Sequence, residues 1–158
     1  RPLIGGPITW RSPYLKQRAH GIHRGYDLGA AKGTPIYAAA GGTVAAASPD
    51  GERSGYGITL IVEHSPPLNG VAATVYAHLE RIAPGVAQGR TVSAGQLIGY
   101  VGQTNSKPEP MHSPPHLHFE TVTRLRRTPS GRAILNTRDE RTDPREWLRD
   151  LNVPEDPA

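Results

Sequence analysis

The chain of 158 residues has no cysteine, one methionine, one phenylalanine and two tryptophans. Without cysteine there is no disulfide framework and no thiolate-bound structural zinc, and the redox compartment stays open. No stretch approaches the ~20 consecutive apolar residues of a membrane-spanning helix. The opening residues show no charged, apolar and small-residue leader pattern, which by itself does not place the protein in the cytosol. Lysine occurs only at Lys16, Lys32 and Lys107, so the net charge of +4 rests on arginine. Aromatic residues are not interleaved with the basic ones, so nothing supports nucleic-acid readout by stacking.

What the chain has instead is 18 glycines and 16 prolines punctuating short apolar runs. Alternating or β-branched runs predict strands at Ile36–Ala40, Gly42–Ala47, Ile58–His64, Ala72–His78, Gln96–Val101 and His116–Val122. None has the length of a helix. The expected fold class is therefore all-β, an antiparallel sheet core with long loops at its ends forming a groove. Ser65-Pro66-Pro67-Leu68-Asn69-Gly70 is expected to turn one strand into the next. Residues 103–115, with Pro108, Pro110, Pro114 and Pro115, read as a long binding loop. A short C-terminal helix is expected over about 143–151: Asp143 caps it, Pro144 takes the first position, Glu146 the third, and Trp147, Leu148 and Leu151 form its apolar stripe. The arginines at 124, 126, 127, 132, 138 and 141 read as a solvated connector before that helix. The length fits one domain over residues 1–158.

The chemistry concentrates in Pro114-Pro115-His116-Leu117-His118-Phe119-Glu120. On a strand, alternate side chains share a face, so His116, His118 and Glu120 point one way while Leu117 and Phe119 anchor the other. Two imidazoles presented together suggest a catalytic metal site. Partners are expected from His23-Arg24-Gly25-Tyr26-Asp27. On a straight strand residues four apart lie ~13 Å from each other, so a bend or tight loop is expected, with Gly25 supplying a permissive backbone. Two nitrogen donors and one carboxylate leave a fourth position open, as in a catalytic zinc site. In Thr74-Val75-Tyr76-Ala77-His78-Leu79, Val75, Ala77 and Leu79 alternate with Thr74, Tyr76 and His78, which puts His78 on the more polar face of a strand. The residues alone do not tell His116 from His118 as a ligand.

These motifs resemble those of the lysostaphin-type zinc endopeptidases, which cut peptides in bacterial peptidoglycan. That family's order is H-x-x-x-D, a histidine closing a strand like YAHL, then H-x-H in HLHFE. Here His23/Asp27, His78 and His116/His118 follow the same order. Gly33-Thr34-Pro35-Ile36-Tyr37-Ala38, Gly41-Gly42-Thr43-Val44, Gly55-Tyr56-Gly57 and the stretch Val92 to Gly102 resemble its turns, and the likeness covers about residues 20–123.

The resemblance implies a lysostaphin-like fold with a duplicated hybrid motif and one Zn2+ per chain, bound by His23, Asp27 and His118. It implies His78 and His116 as catalytic groups beside a metal-bound water, and peptidoglycan peptides as substrate. Glu120, Tyr56 and His112 are candidates for supporting or groove positions. The expected setting is extracellular or the cell envelope, with phage origin an alternative source. Loop 103–115 departs from the family's shorter Ser/Thr/Gly-rich stretch, which bears on specificity. Two other readings are an inactive wall-binding or hydrolase-activating relative, and a carrier module like lipoyl domains. The first expects lost ligands, and all five positions are intact. The second expects a lysine at a hairpin tip, and none is placed there.

Overall fold

The computed structural model describes residues 1–14, 17–18, 21–22, 24–53, 55–105, 107–135 and 140–157. Its strands in chain order are β1 (Trp10–Ser12), β2 (Gln17–Arg18), β3 (Gly21–Ile22), β4 (Tyr26–Gly29), β5 (Pro35–Tyr37), β6 (Gly42–Arg53), β7 (Gly57–Leu68), β8 (Val71–Ala77), β9 (Leu79–Ile82), β10 (Thr91–Val92), β11 (Leu97–Val101), β12 (His116–Val122), β13 (Arg126–Arg127), β14 (Ala133–Ile134) and β15 (Arg141–Thr142). One helix, α1 (Pro144–Asp150), follows. The large sheet runs β1-β4-β12-β8-β7-β6-β10, and β15 pairs with β12 where β4 leaves off. A second sheet runs β5-β11-β9. The fold is mostly β and antiparallel, as the alternating runs predicted.

Alternation sorts the large sheet into two faces. Tyr26, Leu28, Leu60, Val62, Tyr76, Leu117 and Phe119 share a core with Ile36, Leu79, Ile98 and Val101 from the second sheet and with Trp147 and Leu148 of α1. Each fully buried large apolar side chain contributes roughly 1.5–3 kcal/mol. On the other face, Ala46, Ile61, Ala73, Val75 and Val122 make a smaller cluster with Ala133 and Leu135. The functional half of β12 lies on that second face, beyond the end of this cluster. The strand is thus held from behind at Leu117 and Phe119.

Several boundaries differ from the sequence expectation. β6 and β7 continue well past Ala47 and His64. The turn expected over residues 65–70 shrinks to Asn69-Gly70, both at positive φ (47° and 82°), the backbone of a type I′ hairpin. Cross-strand pairing of Leu68 with Val71 carries the strand through both prolines. The helix forms as expected: the Asp143 carboxylate accepts from the Arg145 backbone N–H at 3.0 Å, and Trp147 and Leu148 are buried. The Trp147 indole N–H donates to the Leu68 carbonyl at 2.9 Å, tying helix to hairpin. Chain ends meet as well, because the Leu3 and Ile4 amides donate to the Pro154 and Glu155 carbonyls. None of the described helices is long and apolar enough to cross a membrane.

Candidate active site

Register across the sheet, and not spacing along one segment, assembles the site. On β12, His118 lies directly opposite Asp27 of β4 on one side and Ala77 of β8 on the other. Directly opposed residues have Cβ atoms ~5 Å apart, within easy reach of two polar side chains. The chain bends at Gly25, as expected, just before β4 begins. The position also has a steric requirement that the sequence did not show: a Cβ there would stand 2.6 Å from the His118 ring and 2.9 Å from the Phe119 carbonyl oxygen. His23 lies outside the described residues.

His78 reaches the site by breaking the strand pattern. Tyr76 and Thr74 face the main core: the Tyr76 hydroxyl accepts from the Ala39 amide at 2.9 Å. Continued alternation would turn His78 the same way, the reverse of the face expected from the sequence. Instead β8 ends at Ala77 and His78 takes φ 60°, a conformation few non-glycine residues adopt. Its amide donates to the Tyr56 carbonyl at 2.8 Å, which fixes the corner. The ring then sits 5.2 Å from His116 and 5.7 Å from His118, centroid to centroid.

Hydrogen bonding divides the three histidines into two kinds. His116 Nδ1–H donates to the Pro114 carbonyl (2.9 Å) and His78 Nδ1–H to the Thr104 carbonyl (2.8 Å). A carbonyl only accepts, so both rings carry the Nδ1 proton, and His116 Nε2 lies 3.7 Å from Asp27 Oδ2. His118 is turned round. Its Nε2–H donates to Glu120 Oε2 at 2.7 Å, and its Nδ1 meets Asp27 Oδ1 at 2.8 Å. Glu120 also accepts from the Tyr56 hydroxyl (2.8 Å) and from Arg141 Nε (2.7 Å).

Electrostatics follow this division. Burial disfavours a charged His118, but the hydrogen bonds to Asp27 and Glu120 outweigh it and raise its pKa to about 9. Burial, reinforced by the His118 charge, lowers His78 to about 3 and holds it neutral. Burial favours a protonated Glu120, yet the His118 hydrogen bond and charge, followed by Arg141, hold the carboxyl below its usual range. Burial and the Glu120 charge push the Tyr56 phenol upward, so it remains a donor.

The donor chemistry fits a divalent cation in part. Asp27 and His118 bring a carboxylate oxygen and an imidazole nitrogen together, and the far side of His118 is held by a carboxylate, a common arrangement behind metal-binding histidines. Among the described residues no group of three His, Asp or Glu side chains forms a metal site. The expected third donor is His23, whose position is outside the described set.

A cavity of about 560 Å3 opens beside Asp27, His78 and His116. Trp10, Arg11 and Ser12 of β1 line one wall, and Met111, Ser113 and Pro114 of the proline-rich loop line another. The Trp10 ring lies 5.2 Å from His116 and crosses Gly29, where any Cβ would collide with the indole. The exposed His112 is not among the residues lining this cavity. Sequence reading missed Trp10, because a three-residue edge strand has no periodicity to read. It also placed Arg141 in a solvated run, whereas Arg141 is 7% exposed against Glu120. Arg124, Arg126, Arg127 and Arg132 are exposed as that description expected, with Arg126 and Arg127 paired to Glu140 and Glu63; Arg138 lies outside the described residues.

The catalytic domain of lysostaphin from Staphylococcus simulans superposes with a TM-score of 0.63 at 25% identity, covering 89% of this chain and 92% of that one. The DD-carboxypeptidase/endopeptidase Mpg of Neisseria meningitidis serogroup B is 38% identical over 112 residues, 71% of this chain and 20% of the relative. The peptidoglycan DD-endopeptidase ShyB of Vibrio cholerae is 33% identical over 113 residues, 72% of this chain and 23% of that protein. The chain thus spans about a fifth of the length of these relatives. A family profile, described as Peptidase family M23, matches residues 21–131, across β3 to the β13–β14 hairpin. That family is zinc-dependent in general. With its converging histidines, its lysostaphin-like sheet and these two relatives, the chain belongs to Peptidase family M23.

Proposed function

We propose that the protein is a zinc-dependent endopeptidase that hydrolyses peptide bonds in bacterial cell-wall peptidoglycan, and that it works in the cell envelope or outside the cell. Residues 1–158 act as one catalytic domain in this reading. One observation carries it: two histidines, His78 and His116, are anchored through Nδ1 to backbone carbonyls and flank an Asp27–His118 pair oriented the opposite way. The backbone anchor alone is shared by the structural His64; what sets this group apart is three imidazoles and a carboxylate converging beside one cavity.

His23, Asp27 and His118 hold the metal. Zinc, when bound there, supplies a Lewis acid that polarises the scissile carbonyl and acidifies a water. The Nε2 atoms of His78 and His116, the ring nitrogens not tied to backbone carbonyls, serve that chemistry. One takes the proton from the attacking water and returns it to the leaving amine. The other, carrying an Nε2 proton taken from solvent before the reaction and keeping it throughout, donates a hydrogen bond to the oxygen that gains charge in the tetrahedral state. The cavity between Trp10 and the proline-rich loop receives the peptide.

The test is a pair of substitutions with two readouts, zinc stoichiometry and mass spectrometry of fragments released from purified sacculi. His118→Ala loses zinc and turnover together. His116→Ala keeps zinc and loses most turnover. Stoichiometric zinc in His118→Ala, or intact sacculi after incubation with zinc-loaded wild type, refutes the reading.

A further inference from the structure

Glu120 is a buried carboxylate that receives three donors, and one of them comes from a segment beyond the residues that match the family profile. Arg141 stands on β15, paired with Val122 of β12. Its Nε donates to Glu120 Oε1 at 2.7 Å, with both side chains 1% exposed. Its Nη2 donates to the Leu135 carbonyl. The opposite oxygen, Oε2, is shared by Tyr56 and His118. The Glu120 carboxylate is therefore clamped from both sides, and its orientation sets that of the His118 ring.

Burying a guanidinium is costly, and pairing with a carboxylate offsets that cost only where the geometry is good. An apolar pair would fill the same space between β12 and β15. The ion pair retained here does something packing cannot: it fixes the rotation of a carboxylate whose second oxygen holds a ring nitrogen. Without Arg141, Oε1 is left buried and unmatched, and the carboxylate turns away from His118 to find another donor.

We propose that Arg141 is a positioning residue of the metal centre, acting through Glu120 to keep His118 Nδ1 directed at Asp27. The proposal rests on the zinc reading above. It also means that the family-matched residues 21–131 are incomplete as a catalytic unit, because β15 supplies part of the support.

The experiment compares wild type, Arg141→Met, Glu120→Gln and the double variant. Zinc affinity is read by chelator competition, the visible spectrum after cobalt substitution, and the melting temperature. Arg141→Met weakens zinc roughly 10–100-fold, the range for loss of a supporting partner, and shifts the cobalt spectrum. In the Glu120→Gln background the same change has little further effect, because Arg141 acts through that carboxylate. If Arg141→Met does not fold, Arg141→Lys keeps the charge without the guanidinium fork, and a several-fold loss with a shifted spectrum is expected. A lower melting temperature with unchanged zinc affinity and spectrum makes Arg141 a structural tie only and overturns the inference. Equal losses in the wild-type and Glu120→Gln backgrounds overturn it too. A wild type that binds neither ion refutes the zinc reading and this inference with it, whereas normal wild-type binding beside an unaffected variant refutes Arg141 alone.

Discussion

β12 and the corner after β8 deliver histidines to the same place by opposite means. On β12 regular alternation does the work: Leu117 and Phe119 are buried behind the strand while His116, His118 and Glu120 stand on its other face. At the end of β8 regularity would send the histidine into the core, and a left-handed residue turns it out again. The first arrangement derives its rigidity from packing. The second derives it from a backbone corner held by the Tyr56 carbonyl and by the Thr104 carbonyl on the ring. Strained backbone persists only where surrounding contacts over-determine it. Strand-borne groups should therefore fail through loss of core, and the corner group through loss of conformation.

The largest effect is expected from removing the anchor behind β12. Phe119 is wholly buried against Tyr76 and Trp147, so Phe119→Ala should cost about 3–5 kcal/mol in denaturant unfolding. A loss below 1 kcal/mol would contradict the view of this strand as held from behind. Next comes Gly25→Ala, which places a methyl against the His118 ring. Overpacking of this kind costs about 1–3 kcal/mol, and zinc affinity should fall with it. Retained affinity would show that the ring has room to move.

The corner is tested by comparing His78→Gly with His78→Ala. If the residue is left-handed, glycine is more stable there than alanine by about 1 kcal/mol. Equal stability would remove the strained corner from the account. Both variants should lose turnover.

The smallest effect concerns His64, a histidine with no part in the site. It is buried, with Nδ1–H donating to the Gly41 carbonyl at 2.7 Å. Burial, only partly offset by that bond, lowers its pKa. The unfolded chain then binds the proton more readily, so this contribution is full above the reference imidazole pKa of about 6.5 and declines as pH falls below it. His64→Gln should flatten that acid slope in stability between pH 7 and 5. An unchanged slope would locate the proton uptake elsewhere.

Legibility tracks regularity. The bounds of β12 and the capped start of α1 could be read from the sequence because a two-residue alternation and an Asp-Pro cap are local signals. The faces of Leu117 and Phe119 against His118 and Glu120 followed from the same alternation. His78 was assigned to a polar face with Tyr76, whereas Tyr76 is core, because nothing in the string marks a left-handed residue that is not glycine. Asp27 and His118 are expected together from the motifs, but the cross-strand register that brings them together is a property of the sheet and not of the string. Arg141 looked like one more surface arginine because its partner, Glu120, lies 21 residues away in sequence.

By itself the sequence determined which side chains are available for chemistry and which strand presents them, because alternation along a chain is enforced by the backbone alone. Tertiary structure decided the rest: that Asp27 faces His118 across a sheet, that His78 turns back from the core, that Trp10 walls the cavity, and that a buried arginine stands behind Glu120. Each of these depends on contacts between segments far apart in the chain. Such contacts are selected by packing and by the need to pair every buried charge, and no local pattern encodes either.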